Sequence, residues 1–240
     1  MIVNLHDPAA QCNVTTSRIR RTMEKRTTNT PKSSQEPRER RTGAAGNRMK
    51  AITIILDEHR SLAAILHGML YLVRSIRDGR ATPDFTLFGA MVYYIDAFPE
   101  RFHHPKEETY LFRLLRLRHP AAGPVLDLLH AEHQAGETKI RELELALKRY
   151  EHGGATCFDA FASAVESYAA FHWSHMRTEE DDILPLAREH LTDGDWDEID
   201  DAFAGNSDPM LGAKAGDEYE ALFRRIANLA PPPIGVGPER

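Results

Sequence analysis

The sequence has few of the features that mark secreted, membrane-embedded or thiol-dependent proteins. Only two cysteines occur, Cys12 and Cys157, and they form no CxxC motif, so neither a disulfide framework nor a thiolate metal site is expected. No apolar run approaches the length of a membrane span, and no secretory signal peptide is recognisable. We therefore expect a protein of a reducing compartment, located in the cytoplasm, with no membrane partner.

Several catalytic and binding motifs are also missing. The chain has no Gly-rich phosphate loop and no credible nucleophile triad. The run Asp193-x-Asp195-x-Asp197 begins like a calcium-binding EF-hand loop, but Glu198 stands where that loop needs glycine, which excludes it. Alternating strand patterns are absent as well, which favours an all-helical fold.

The first 48 residues differ in composition from the rest of this 240-residue chain. They hold ten Lys and Arg against four Asp and Glu, with Thr, Ser, Pro and Gly between them. This composition predicts a disordered basic arm over residues 1–48. A nucleic-acid contact or an organelle-targeting leader is the alternative for such a segment, but a plain unstructured arm is favoured and nucleic acid is not an expected partner. Met49, directly before the first periodic segment, is an alternative translation start.

Residues 49–190 show helical periodicity broken at three points. We predict helix A over about 49–78, helix B from a Thr82 cap and first-turn Pro83 to about 119, helix C from Gly123-Pro124 to Gly153-Gly154, and helix D from a Thr156 cap to about 190. Four long amphipathic helices with short links predict an all-α, up-down-up-down four-helix bundle. Residues 191–240 are predicted to form a short C-terminal helical extension, with helices at 195–203 and 217–229, a turn at 206–209 and a Pro-rich tail.

What the chain does have is histidine, twelve in all, in a repeated arrangement. Residues 103–112 read HHPKEETYLF and residues 175–184 read HMRTEEDDIL, so each contains HxxxEE. On a helix, positions four apart share one face, so each motif pairs an imidazole with a carboxylate. His59 precedes the first motif and His133 precedes the second at similar distances, which makes a twofold internal repeat.

Helical phase and depth bring the repeated residues together. Both motifs fall on the apolar arcs of their helices, and all the repeated residues lie roughly 15 Å or more from one end of the predicted bundle. Buried imidazoles and carboxylates without partners are costly, whereas divalent metals of the first row bind both. Two metals bridged by the two carboxylates are the expected solution, with iron or manganese favoured and zinc a further candidate. The predicted ligands are His59, His103, Glu107, His133, His175 and Glu179.

Other polar residues near these positions receive a structural interpretation. A single core histidine is more often hydrogen bonded than a ligand, and this applies to His67, His130 and His172. His104 and Glu108 lie about 100° round the helix from His103 and Glu107. The acidic run after Glu179 is expected to be a solvated face, with Asp182 the one candidate for a supporting contact.

The set DEHR, HHPKEE, AEHQ and HMRTEE on four consecutive helices resembles the hemerythrin-like HHE cation-binding family, over about residues 50–190. The resemblance implies a four-helix bundle around a non-haem, oxo- or hydroxo-bridged pair of irons. It also implies terminal ligation by His59, His103, His133 and His175 and bridging by the carboxylates Glu107 and Glu179.

The chain departs from the oxygen carriers of that family in three places. Those members use HxxxH on the third helix and HxxxxD on the fourth, whereas here the third helix has His130-x-x-His133 and the fourth has HxxxE. This leaves one imidazole fewer, and Glu137 is a candidate to fill the gap. Pro105 interrupts the first motif, so that a helix restarting there would make His104 and Glu108 the ligand pair instead. Ferritin-like sites need two ExxH motifs, and helix D has none.

Function is expected to follow from an open metal position. The leading hypothesis is binding or sensing of O2, NO or peroxide, or iron handling under oxidative or nitrosative stress. The alternative is a di-iron oxidase, peroxidase or NO reductase, with Tyr110 or Tyr168 as redox-capable neighbours. A metal-free interaction module is a third hypothesis.

Overall fold

The computed structural model describes residues 49–204, Arg224 and residues 226–228, and within them it contains helices and no strand. The all-helical prediction is confirmed for this part of the chain. The predicted basic arm at 1–48, the turn at 206–209 and the Pro-rich tail lie outside the described residues. Of the helix predicted at 217–229, Arg224 and residues 226–228 are described, and they are helical.

The first and third long helices are uninterrupted. Helix α1 spans Lys50–Arg77, and helix α5 spans Gly123–Gly153 after a short 3-10 turn, Pro120–Ala122. The chain leaves α1 through Gly79 and leaves α5 through Gly154, both with positive φ (69° and 63°), which glycine adopts without strain. These ends agree with the predicted glycine stops.

The second helical segment, residues 85–118, is one continuous helix that contains two π-helical stretches. Helix α2 (Phe85–Ile95) runs into a π segment (Asp96–His103), a short α3 (His104–Lys106), a second π segment (Glu107–Phe112) and α4 (Arg113–Arg118). The Asp84 carboxylate caps α2 by accepting from the Leu87 amide at 3.0 Å. The predicted cap at Thr82 is therefore wrong, because the first helical residue is Phe85 and Asp84 stands next to it.

The fourth segment, residues 158–190, also contains a π stretch. Helix α6 (Phe158–Thr178) leads into the π segment Glu179–Ile183 and then α7 (Leu184–His190). A 3-10 turn, Gly154–Cys157, precedes α6, and the Thr156 hydroxyl donates to the Gly153 carbonyl instead of capping the helix. Helix α8 (Asp193–Ala204) follows, as predicted, and packs against α1.

The core consists of two apolar clusters with a polar layer between them. Along α1, Ile55 belongs to one cluster and Leu62 to the other, and His59 lies between them. Along α5, Leu129 and Ile140 likewise flank His133. The helices contact each other in a ring, α1 with α2 and α6, and α5 with α2 and α6. Among the described helices, none is long and apolar enough to cross a membrane.

Candidate metal centre

All the residues predicted as ligands lie in the polar layer between the two apolar clusters. None of them is more than 8% exposed. They come from all four long helical segments: His59 from α1, His103 and Glu107 from the second segment, His133 from α5, and His175 and Glu179 from the fourth. Burial of so many ionisable groups is stable only when the groups have partners.

One half of the layer is formed by His59, His103, Glu107 and Glu179, whose ligand atoms lie within 4.8 Å of one another. The Nε2 atoms of His59 and His103 are 3.3 Å apart. The Nε2 of His103 is also 3.3 Å from Glu107 Oε1, and the Nε2 of His59 is 3.3 Å from Glu179 Oε2. Four donor atoms therefore surround one point, and we call this group the first half-site.

The other half, the second half-site, is formed by His133, His175 and the same two glutamates. The Nε2 atoms of His133 and His175 are 3.2 Å apart, and the Nε2 of His175 is 3.3 Å from Glu179 Oε1. Glu107 faces this half through Oε2, which is 3.7 Å from His133 Nε2. Each glutamate thus directs one oxygen to each half, the arrangement of a carboxylate that bridges two cations.

The two central carboxylates fit a pair of metal ions. Within the described residues, no group makes a conventional hydrogen bond to any of the four oxygens of Glu107 and Glu179, although all four are buried. Moving a carboxylate from water into the protein interior without a compensating partner costs roughly several kcal/mol. Imidazole nitrogen and carboxylate oxygen without thiolate are ligands that iron, manganese and zinc accept. A metal pair would satisfy the orphaned oxygens and remove the penalty.

Protonation of the imidazoles compensates these carboxylates when no metal is bound. Burial lowers the pKa of His59, but its contacts with Glu179 and Glu180 outweigh burial and raise it to about 9. The pKa of His133 is likewise lowered by burial but raised overall to about 9, by Glu108 and Glu179. Burial opposes ionisation of Glu179, yet the imidazoles of His175, His133 and His59 hold its pKa well below the usual range. Protons and metal ions therefore compete for the same atoms.

A fifth imidazole joins the second half-site. His104 is 4% exposed, groups with His133 and His175, and stacks on the His133 ring at 4.2 Å between centroids. Burial lowers the pKa of His104 to about 3, so the ring is neutral and able to ligate. The expectation that His104 lies on another face is wrong, because its ring is buried beside His133 and His175.

The π-helical segment explains how two adjacent histidines both reach the site. The His104 amide donates to the Pro99 carbonyl, five residues earlier, so the turn here is wider than an α-turn. The wider turn rotates His104 inward while His103 stays in the first half-site. The helical segment continues through Pro105 without a break. The predicted choice between His103 and His104 therefore does not arise, because both side chains lie in the polar layer.

An outer set of four glutamates contacts the Nδ1 atoms of four of these imidazoles. Each glutamate comes from the helical segment before that of its histidine, taken cyclically, so the contacts link all four segments in a closed ring. The pairs are Glu58 with His103 at 2.7 Å, Glu108 with His133 at 2.8 Å, Glu132 with His175 at 3.0 Å and Glu180 with His59 at 2.9 Å. A hydrogen bond at one ring nitrogen fixes the orientation in which the other is offered to a metal.

Sequence reasoning missed this outer set although a signal was present. Each of the four glutamates directly precedes or follows a predicted ligand in the chain, as in the dipeptides Glu58-His59 and Glu179-Glu180. The supporting contact predicted for Asp182 and the ligand role considered for Glu137 do not fit the structure. Asp182 is exposed, and Glu137 is exposed with a carboxylate oxygen 3.6 Å from the Arg141 guanidinium. Of the histidines given a structural role, His67 and His130 are exposed and His172 is buried.

A small cavity of about 10 Å³ adjoins the centre. His59, His103, His104 and His175 line it together with the apolar residues Leu62, Phe98, Pro99 and Met176. Its volume is about that of one water-sized probe. Two larger clefts, of about 500 and 610 Å³, contain none of the clustered residues and lie elsewhere on the surface.

An all-helical bundle with histidine and glutamate gathered in a buried layer defines a metal-binding helical protein. Residues 50–187 match the hemerythrin HHE cation binding domain, which is more than half of the chain. The chain belongs to this family, and cation binding is the property that its buried cluster fits. No curated protein and no solved structure matches the chain.

Proposed function

We propose that the polar layer holds two iron ions bridged by Glu107 and Glu179. The observation that carries the proposal is that these two carboxylates belong to both half-sites and face each half with a different oxygen. His59 and His103 hold the first ion, and His104, His133 and His175 hold the second. Manganese or zinc would suit the same ligands.

The two half-sites differ in the number of protein ligands. Two imidazoles and the two shared carboxylates form each half, and His104 is a third imidazole that groups with His133 and His175 of the second half. Iron commonly takes up to six ligands, so the first half-site leaves more room for an external ligand. We propose that a small ligand binds at this position, beside the adjoining cavity of about one water-sized probe that His59 and His103 line.

The proposed function is binding or sensing of such a ligand, or iron handling under oxidative or nitrosative stress. A reduced iron pair supplies the electrons by which these molecules bind or react. The chain's own residues orient the imidazoles through the outer glutamates and surround the centre with apolar side chains on both sides. A dry, preorganised surrounding favours reversible binding over side reactions with water.

The proposal includes an up-down-up-down order of the helices. Two features support it: the ring of helix contacts, and the direction in which each segment crosses the polar layer. Segments α1 and α5 pass from the cluster containing Ile55 to the one containing Leu62, whereas Phe102 to Leu111 and Met176 to Ile183 pass in the opposite direction.

One observation favours an enzyme as the second candidate. Tyr168 is buried and its hydroxyl donates to Glu100 at 2.9 Å, while Glu100 also lies 3.4 Å from the His104 ring. Burial and the Glu100 carboxylate raise the pKa of Tyr168 well above its usual range, so it stays a phenol. A phenol linked to the centre through Glu100 suits a di-iron oxidase, peroxidase or NO reductase. Tyr110 is only half-buried and has no comparable contact with the centre among its described neighbours.

Elemental analysis with an optical spectrum tests the function directly. Purified protein reconstituted anaerobically with ferrous iron is expected to hold two irons per chain, and addition of O2 or NO should change its spectrum. Absence of bound metal after reconstitution would contradict the proposal and favour the hypothesis of a metal-free interaction module. An unchanged spectrum on two-iron protein would reject ligand binding, and many turnovers with peroxide or NO and a reductant would favour the enzyme.

A further inference from the structure

A seventh glutamate approaches the centre, in addition to the two central and the four outer ones. Glu100 lies in the first π segment and is 6% exposed. Among the described residues it is the only buried glutamate besides Glu107 and Glu179. Its Oε1 accepts from the Tyr168 hydroxyl at 2.9 Å and lies 3.4 Å from His172 Nε2, and its Oε2 lies 3.4 Å from His104 Nδ1.

The carboxylate of Glu100 occupies space that a glycine leaves open. A Cβ placed on Gly136 of α5 would lie 2.7 Å from Glu100 Oε2 and 2.9 Å from Oε1, closer than real contacts allow. Gly136 has no positive φ, so its backbone does not require glycine. Glycine inside a helix is less favourable than alanine, and the space that Glu100 occupies is the visible reason for glycine at this position.

The position of Glu100 corresponds to that of the four outer glutamates. Each of those contacts the Nδ1 of one imidazole, and Glu100 faces the Nδ1 of His104, the fifth imidazole. Two differences exist. The outer glutamates are partly exposed and hydrogen bonded to Nδ1 at 2.7–3.0 Å. Glu100 is enclosed and held by the Tyr168 hydroxyl, and its contact with His104 Nδ1 is longer, at 3.4 Å, and is not a hydrogen bond. His104 therefore has a buried carboxylate neighbour, which it shares with His172 and Tyr168.

We propose that Glu100, admitted by Gly136 and held by Tyr168, positions the His104 imidazole and so completes the second half-site. This inference rests on the proposed pair of metal ions. It makes Glu100 and Gly136 positioning residues for one ion of the pair and not for the other. The asymmetry between the two half-sites then depends on the contact between Glu100 and His104.

The variant Gly136→Ala tests the proposal, with Gly89→Ala as its matched control. Gly89 also lies inside a helix, α2, and an added Cβ there has nothing within 4 Å. Each variant is reconstituted with ⁵⁷Fe(II) under anaerobic conditions, and iron content and Mössbauer spectra are measured beside the wild type. The wild type and Gly89→Ala should hold two irons with two signals of equal area. Gly136→Ala should bind one iron roughly tenfold to a hundredfold more weakly and lose one signal selectively.

Two further variants guard against a simple folding defect. Tyr168→Phe removes only the hydroxyl that holds Glu100, and it should weaken the same iron signal by a smaller factor. In a Glu100→Ala background, Gly136→Ala should cause no additional loss, because the clashing carboxylate is gone. Two unaltered signals in Gly136→Ala and Tyr168→Phe, or equal loss of both, would overturn the role of Glu100. A wild type that binds no iron would instead overturn the metal pair, and this inference with it.

Discussion

At the scale of single residues, the bridging carboxylates and the terminal imidazoles should differ in what their removal does. Glu179 lies within 3.3 Å of an imidazole in each half-site, so Glu179→Ala should remove both metal ions. His59 belongs to the first half only, and His59→Ala should leave about one ion per chain. Metal content after dialysis measures both. His67→Ala, at an exposed histidine bonded to the Ala63 carbonyl, should keep two ions. Two ions in Glu179→Ala would show that this carboxylate does not bridge.

The outer glutamates should affect affinity without being ligands. Glu132 contacts His175 Nδ1 at 3.0 Å, and Glu132→Gln removes the charge that orients this imidazole. Loss of such a partner typically weakens metal affinity roughly tenfold to a hundredfold. Competition with a chelator measures the change. Glu137→Gln is the matched control, because Glu137 lies on the same helix and faces Arg141 in solvent. Equal affinity of the two variants would mean that the outer contact has no orienting role.

At the scale of helical elements, the sequence predicts the existence of the helices better than their local geometry. Apolar periodicity and the glycines at 79 and 154 place α1 and α5 within a residue or two of their observed ends. The π segments are not predicted by the sequence, because helical phase is evaluated at a constant 100° per residue. A constant step places His104 off the site, whereas the wider turn from Pro99 to His104 brings it in. A backbone hydrogen bond of this kind leaves little trace in the side-chain pattern.

The same limit applies to contacts between helices. Phase and depth sufficed to gather the six predicted residues, because each lies on an apolar face at a common height. The outer glutamates lie at the edges of those faces, where periodicity assigns residues to solvent. Only the approach of a neighbouring helix turns Glu58 or Glu180 toward an imidazole. The close contact between Gly136 and Glu100 is likewise a tertiary feature.

Helix α8 is anchored by a capping arrangement that should be sensitive to acid. Asp195 accepts from the Thr192 amide at 2.8 Å, and Arg118 donates two bonds to the same carboxylate at 2.8 and 2.9 Å. These contacts, Arg118 first, lower the pKa of Asp195. Asp195→Ala should lower the free energy of unfolding by roughly 1–2 kcal/mol at neutral pH, the typical value of a lost cap.

The sign of the pH dependence follows from the lowered pKa. The ionised form of Asp195 is stabilised in the folded state, so its contribution is present above the unfolded pKa of about 3.9 and is lost as the pH falls below it. Melting temperatures of wild type and Asp195→Ala should therefore differ at pH 7 and approach each other at acid pH. Asp197→Ala, at an exposed position on the same helix, should match the wild type throughout. A difference that persists unchanged into acid would contradict the ionic cap.

At the scale of the whole molecule, the polar layer divides the core into two apolar halves. Each half buries side chains from several helices, so each can stabilise one end of the bundle. The layer between them contributes no apolar burial, and its groups are compatible with folding only when protons or metal ions balance the carboxylates. The occupant of the centre therefore influences the stability of the entire bundle, because the layer joins all four helical segments.

The stability of the metal-free and of the metal-loaded protein should consequently depend differently on pH. In the metal-free protein the pKa values of His59 and His133 are about 9, above the unfolded value of about 6.5. Groups with a raised folded pKa stabilise fully below the unfolded pKa, and the contribution is lost as the pH rises through the folded one. The melting temperature of metal-free protein should therefore fall between pH 6.5 and 9.

Metal-loaded protein should not lose stability over the same interval, since its imidazoles are already deprotonated. Metal binding should release protons near neutral pH, and the apparent affinity should increase with pH up to about 9 as fewer protons must be displaced.

At a free metal concentration a thousandfold above Kd, binding stabilises by about 4 kcal/mol, a shift of roughly 10 °C for a chain of this size. Calorimetric melting of loaded and chelator-treated protein at pH 6.5, 7.5 and 9 measures both effects. The gap between the two melting temperatures should widen with pH, because protons stabilise the metal-free layer less and less while the metal ions remain. A gap that stays constant, with no proton release on loading, would mean that the imidazoles of the layer are not the metal ligands.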